Sequence, residues 1–294
     1  VTTASTSRPA ARPIGAVGLV VIGLVCQDVG ASLAVLLFPA TGALGMVALR
    51  LGFAAIALLA IARPRVRGHS RTDWATMIAF GVALAGMNAL FYEAIARIPL
   101  GATVTIEVLG PLVLSVVMSR RAVSWLWAVL AFAGVALLGQ GSFGSLDPLG
   151  LVFAFSAAAA WAGYILLSAR TGARFPRLDG LAIAMAIGAI LTLPFGIASA
   201  GPAIFKPNIL LLGAAVAMLS STIPYALELV ALRRLPSATF SILMSLSPAI
   251  ATIAGLLLLG QKLTVVGVVA IALVIAASIG AVRTASRPTQ ISPD

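Results

Sequence analysis

The sequence predicts an all-α membrane protein of ten transmembrane helices, built as two inverted five-helix repeats around a central cavity, with both termini in the cytoplasm. Three observations carry this: a composition too apolar for water, a one-sided distribution of basic residues, and a proline pattern that recurs at about half the chain length. Of the 294 residues 61% are hydrophobic and 9% charged, against about 25% charged in an ordinary soluble domain. Nineteen basic and eight acidic residues cannot cover a water-facing surface of this size. Ten helices of about 20 residues consume about 200. The rest serve nine connections and two tails, which leaves no room for an extramembrane domain.

The elements follow in order. The first apolar run, 14–38, is too long for the apolar region of a signal peptide and contains Gln27 and Asp28, so it is a retained span. A tight turn at Pro39 leads to 40–62. The third span, 74–96, ends at a second tight turn containing Pro99. The fourth, 100–119, carries Pro111, and the short fifth is 124–139. The second half supplies 149–169, 180–200, 209–232, 238–260 with Pro248 inside it, and 264–282. Residues 1–13 and 283–294 are tails, 14–139 the first repeat and 149–282 the second.

Alternating these spans from a cytoplasmic N-terminus sorts the basic residues fifteen to three. The inside set runs from Arg8 and Arg12 through the Arg63, Arg65, Arg67 and Arg71 loop to Arg283 and Arg287; the outside set is Arg97, Lys206 and Lys262. Lys and Arg collect on the cytoplasmic side of membrane proteins, and one missed span would scramble the alternation. The net charge of +11 therefore reports orientation. No basic stripe interleaves with stacking aromatics, so nucleic acid is not a partner; the lipid bilayer is.

Arg97-Ile98-Pro99 recurs as Arg234-Leu235-Pro236, and Pro111 recurs as Pro248, each at an offset of 137. Five spans per half is an odd number, so the second copy enters the membrane from the opposite side. Inverted repeats with interrupted helices are a mark of secondary transporters.

Ionisable groups inside a bilayer are costly and commonly face a cavity or a partner. Asp28 and Arg50 each lie 11 residues from Pro39, ~16 Å below that turn at 1.5 Å per residue. Equal depth permits an ion pair; alternatively Arg50 meets a substrate carboxylate, or Asp28 carries a proton. Gln27 extends this polar spot. No basic residue in its own span reaches Glu107, which makes it a candidate for a proton or a substrate ammonium group. Glu93 precedes Arg97 by four residues, the favourable order for a helical ion pair. Glu228 either pairs with Arg233 and Arg234 or gates. Asn88 with Tyr92, Trp161 with Tyr164, and Tyr225 beside Glu228 are aromatic and polar groups that either wall a cavity or pack.

Enzymatic machinery is missing. The one histidine, His69, sits in a basic loop, so neither a zinc cluster nor a serine triad is available. There is no phosphate-binding G-x-x-x-x-G-K-[ST] loop. No cofactor is expected, the chain is not expected to be an enzyme, and the oligomeric state is left open, a monomer included.

Several stretches together carry a family resemblance: Gly30-Ala31-Ser32-Leu33-Ala34, Ala48-Leu49-Arg50, Gly86-Met87-Asn88 with Phe91-Tyr92, and Pro99-Leu100-Gly101 leading to Glu107 and Gly110-Pro111. They continue with Trp161-Ala162, Tyr164-Ile165-Leu166, Pro224-Tyr225, Leu227-Glu228, Leu243-Met244-Ser245 and Pro248-Ala249. In order and spacing over about residues 14–283, the chain resembles the EamA-type ten-span exporters of the drug/metabolite transporter superfamily. The resemblance implies a basket of helices in the bacterial inner membrane, and export of small amino acids such as threonine or homoserine in exchange for protons. It also adds Met244 and Ser245 to the cavity. Asp28, Ser247 and Gln261 depart from the family pattern, Asp28 by adding a charge to the expected cavity.

The resulting expectation is a secondary transporter. Arg50 engages a substrate carboxylate, and Glu107 or Asp28 engages the ammonium group and trades it for a proton. Gln27, Asn88, Tyr92, Trp161, Tyr164, Tyr225, Met244 and Ser245 line the site, Glu228 gates, and Pro111 and Pro248 let their helices bend. An exporter of other metabolites or cationic drugs is the alternative, and a channel or scramblase a more distant one.

Overall fold

Apolar runs without polar side chains to satisfy the backbone can enter a membrane only with their hydrogen bonds closed internally, and helices are what this chain forms. The computed structural model describes residues 13–119, 122–139, 146–175, 178–232, 234–235 and 237–285. These contain only helices and the turns between them. In order they are α1 (Pro13–Ala62), α2 (Arg71–Ile95), α3 (Leu100–Glu107), α4 (Leu109–Ser119), α5 (Ala122–Gly139), α6 (Pro148–Arg174), α7 (Asp179–Ala200), α8 (Pro207–Ala217), α9 (Ile223–Leu232), α10 (Ser237–Met244), α11 (Ser247–Leu259) and α12 (Val265–Ala285). A 3-10 turn, Gly201–Phe205, precedes α8, and a π-turn, Met218–Thr222, joins α8 to α9. Seven helices among the described residues are long and apolar enough to cross a membrane, and Val123–Leu137 and Pro207–Thr222 are shorter apolar helices. Large apolar side chains cover the outside: Leu257 is 74% exposed and Val265 80%, a surface suited to lipid rather than water.

Helix ends follow local chemistry. Ser70 and Asp73 form a reciprocal capping box that starts α2. Asp147 Oδ1 accepts from Leu149 N at 2.9 Å, with Pro148 in the first turn of α6. Gly260, at φ 62, ends α11.

The first expected turn is misplaced. The chain stays helical through Pro39 and breaks at Gly42, whose φ of 66 and ψ of 168 only glycine adopts readily. A Cβ there would also lie 2.1 Å from Ser199 Oγ. Thr41 Oγ1 donates to Leu37 O at 3.0 Å at the same bend. The chain reverses there. Residues 30 and 50 would be ~30 Å apart on a straight helix, yet Gly30 lies against Ser220, and Arg50 donates to Ser220 O. Measured from Gly42, Asp28 is 14 residues deep and Arg50 only 8, ~21 Å against ~12 Å. The equal depth that would favour their pairing is lost.

The fourth and ninth apolar runs each divide into two half-helices. α3 and α10 are both eight residues long, and the 137-residue offset carries Leu100–Glu107 onto Ser237–Met244. Each ends four residues before a proline. Pro111 and Pro248 have no N–H for the carbonyls of Glu107 and Met244, so the helix loses a rung at those two residues. The chain takes a turn at Val108 and at 245–246 before helix resumes.

α1 packs along α7, α8 and α9, α2 along α6 and α7, and α5 along α12. α3 packs on α11: a Cβ at Gly101 would lie 2.2 Å from Thr252 Oγ1 and 2.9 Å from Thr252 Cα. Leu100 N donates to Gln261 Oε1 at 3.1 Å across the same contact. The complementary halves, α4 and α10, share no comparable packing among the described residues and border a cavity instead.

At Gly110 an added Cβ would lie 2.0 Å from the Ala158 carbonyl oxygen, whereas nothing lies within 4 Å of one at Gly163. Gly110→Ala is therefore expected to destabilise by about 1–3 kcal/mol and Gly163→Ala to change little. Thermal unfolding of the two purified variants checks this difference.

Candidate functional site

The helix breaks and the α1 hairpin leave a cavity of about 390 Å³ at the centre of the bundle. Ten of the residues expected from sequence border it: Gln27, Asp28, Arg50, Asn88, Glu107, Pro111, Trp161, Tyr164, Met244 and Ser245. Tyr92 and Pro248 are buried but do not border it. The side chains of Tyr225 and Glu228 lie outside the described residues, as does Arg233. Sequence reasoning missed Met87, Phe91, Ser115, Phe240, Ser241 and Ser278. Helical spacing could have found two of them, since Ser115 lies four residues after Pro111 and Ser241 four before Ser245.

Arg50 is 7% exposed and is held on three sides. Its Nε donates to Ser221 Oγ at 3.0 Å, Nη2 to Ser220 O at 3.0 Å and Nη1 to Tyr92 OH at 3.3 Å. Its guanidinium carbon stands 5.4 Å from the Tyr92 ring centre. The π-turn brings Ser220 and Ser221 to this position, and Gly30 lets the first arm of α1 approach Ser220, because a Cβ there would lie 2.5 Å from Ser220 Oγ. Tyr92 thus supports Arg50 from beneath, packed between Phe38 and Phe91 with ring centres 5.8 Å away on each side.

The two acids are placed differently. Glu107 lies in the electrostatic field of Arg50. Asp28 is 2% exposed, its Oδ2 has no hydrogen-bond partner, and the charge that acts on it is Glu107. No ion pair joins Asp28 to Arg50. The ion pairs among the described residues are Glu93 with Arg97, as its spacing suggested, and Asp73 with Arg174 at 3.9 Å. Asn88 Nδ2 donates to Leu84 O at 2.8 Å, which fixes its amide on the wall. Tyr164 stacks obliquely on Phe80, with centres 5.2 Å apart. No group of His, Cys, Asp and Glu among the described residues could hold a metal ion.

Among the described residues one guanidinium, two carboxyls, two amides and aromatic walls make a pocket that complements a small charged solute. It has the concavity and the few convergent polar groups of a binding site. It lies inside a bundle of membrane-crossing helices, and the class this defines is a multi-pass membrane transporter. Residues 148–283 match the EamA-like transporter family. The chain is 42% identical over 265 residues to the threonine/homoserine exporter RhtA of Salmonella typhimurium, covering 89% of each chain. It is 39% identical over 276 residues to that of Escherichia coli K12, covering 93% of each. A solved crystal structure only 21% identical in sequence shares the fold, with a TM-score of 0.57 over 92% of this chain and 96% of the other. The chain belongs to the EamA-like transporter family; it is a transporter and not an enzyme.

Ser221→Ala removes one hydrogen bond from a buried guanidinium and is expected to cost about 1.5–3 kcal/mol. Tyr92→Phe should cost less, because it loses the longer bond and keeps the ring. Thermal unfolding in detergent, ranked for the two variants, is the check.

Proposed function

We propose that the chain is a bacterial inner-membrane exporter of small amino acids, with threonine and homoserine the first candidates, working by proton antiport and alternating access. The observation that carries this is one cavity into which the two arms of α1 bring Asp28 and Arg50 and the end of α3 brings Glu107. The names of the 39–42% identical relatives supply the substrate candidates. In this scheme the substrate carboxylate lies towards Arg50, and its ammonium group towards Glu107 and Asp28. Those carboxyls are the only acids among the described cavity residues, so they are the groups able to exchange an ammonium group for a proton.

Ten crossings are proposed, with both termini cytoplasmic. The hairpin at Gly42 makes two crossings of the long α1 rod, and the two shorter apolar helices complete the ten. Two inverted five-helix halves, 14–139 and 149–282, are supported by the equal α3 and α10 half-helices at one offset. The family match covers 148–283, the segment assigned to the second half.

Within that symmetry, α3 with α11 and α4 with α10 are equivalent gates at opposite faces. α3 and α11 pack closely, whereas α4 and α10 border the cavity. With Pro99 outside, this corresponds to a state closed to the exterior and open to the cytoplasm. Alternating access then consists of parting Gly101 from Thr252 while α4 closes on α10. The closed α3–α11 end speaks against a continuous channel.

Inside-out vesicles should accumulate labelled threonine when acidified within. Glu107→Gln should abolish the dependence on the pH gradient, and Arg50→Ala should lower uptake at least tenfold. Unchanged uptake in both variants would remove the site from this function. Gly101→Val cannot close α3 on α11, so it should halt transport. It should also expose a Thr105→Cys thiol, buried behind that contact, to impermeant reagent from outside.

A further inference from the structure

We infer that the cargo this cavity favours is a diamino monocarboxylic acid, and that Asp28 is the residue that selects its second ammonium group. The inference rests on the exporter function proposed above and narrows its substrate class.

The charges inside the cavity do not match a simple zwitterion. Among the described residues that line it there is one cation, Arg50, and there are two acids, Asp28 and Glu107. Arg50 acts on Glu107 but does not pair with Asp28. The protein's own contacts hold Arg50 in position, with three of its nitrogens on Ser221, Ser220 and Tyr92. Asp28 is the unmatched group. It borders the cavity, is 2% exposed, and its Oδ2 is buried without a protein donor. Ser278 lines the same cavity, and its buried Oγ also has no partner. A carboxylate oxygen accepts hydrogen bonds and a hydroxyl oxygen can accept them too, whereas a primary ammonium group offers three N–H donors.

A threonine or homoserine molecule brings one carboxylate and one ammonium group. Its ammonium can balance one of the two acids, and the other must either stay charged without a cation, a costly arrangement, or take up a proton. A solute with one carboxylate and two ammonium groups is the charge complement of one guanidinium and two carboxyls. The side-chain ammonium then replaces the hydroxyl that homoserine would place near Asp28.

Homoserine and 2,4-diaminobutyrate share a carbon skeleton and differ in a terminal hydroxyl against an ammonium group. The test reconstitutes the full chain in liposomes and measures the concentration of each that halves counterflow of labelled threonine. In the wild-type protein, 2,4-diaminobutyrate should be effective at a concentration at least tenfold lower than homoserine, which is about 1.4 kcal/mol. In Asp28→Asn, which keeps shape and removes charge, that ratio should collapse to near one or below. A wild-type preference for homoserine overturns the inference and leaves the exporter function standing. A preference for 2,4-diaminobutyrate that survives Asp28→Asn overturns the role of Asp28. Failure of the wild-type protein to move threonine at all removes both.

Discussion

A guanidinium buried inside a membrane-crossing bundle has to be satisfied by protein, and meeting that demand organises the centre of this molecule. Arg50 cannot lose its charge, and it is 7% exposed. It is met instead by the hydroxyl of Ser221, the carbonyl of Ser220 and the phenol of Tyr92. Those partners belong to different parts of the chain, so one side chain ties the second arm of α1 to α2 and to the π-turn between α8 and α9. A regular helix commits each carbonyl to the N–H four places on, but the residue four places after Ser220 is Pro224, which has none, so Ser220 O is able to accept from outside its own helix.

The cavity exists because two helices are interrupted where proline removes a backbone donor. Glu107 and Met244, the last residues before those interruptions, both face the cavity. The same covalent fact, a missing N–H four residues on, therefore gives each half of the chain a break at the same depth in its fourth or ninth apolar run. The two halves differ in what the broken helices touch. α3 rests on α11 through the bare backbone of Gly101, and the Gln261 side chain accepts from the first amide of α3. α4 and α10 stand apart across the cavity. Two similar sets of parts in two arrangements is the geometry that a rocking transporter requires.

Much of this was legible in the sequence, because apolar run length and the placement of charge are read directly from composition. The helices fall within a few residues of the expected runs, the Glu93–Arg97 pair follows from its spacing, and ten expected site residues border one cavity. What the sequence hid depends on backbone geometry. Pro39 looked like the first turn, but a helix tolerates one missing donor, and the reversal belongs to Gly42, where only a left-handed φ makes the bend. That shift of three residues moved Asp28 and Arg50 to different depths and removed the equal depth that would have permitted their pairing. Tyr92 looked like cavity wall because it follows Asn88 by one helical turn, yet its hydroxyl is drawn under Arg50. Neither the π-turn nor the contact of Gly101 with Thr252 has a local signature, since both depend on a segment more than a hundred residues away.

The central claim is that the buried charges meet in one substrate-binding cavity, reached between α4 and α10 from the cytoplasmic side. Labelling of a single Ser241→Cys thiol in a chain whose Cys26 is replaced by alanine tests it most directly, with an impermeant reagent applied to each face of the membrane in turn. The account predicts labelling from the cytoplasmic face and slowing of that labelling by threonine or 2,4-diaminobutyrate. Labelling confined to the outer face, or unaffected by either compound, would contradict it.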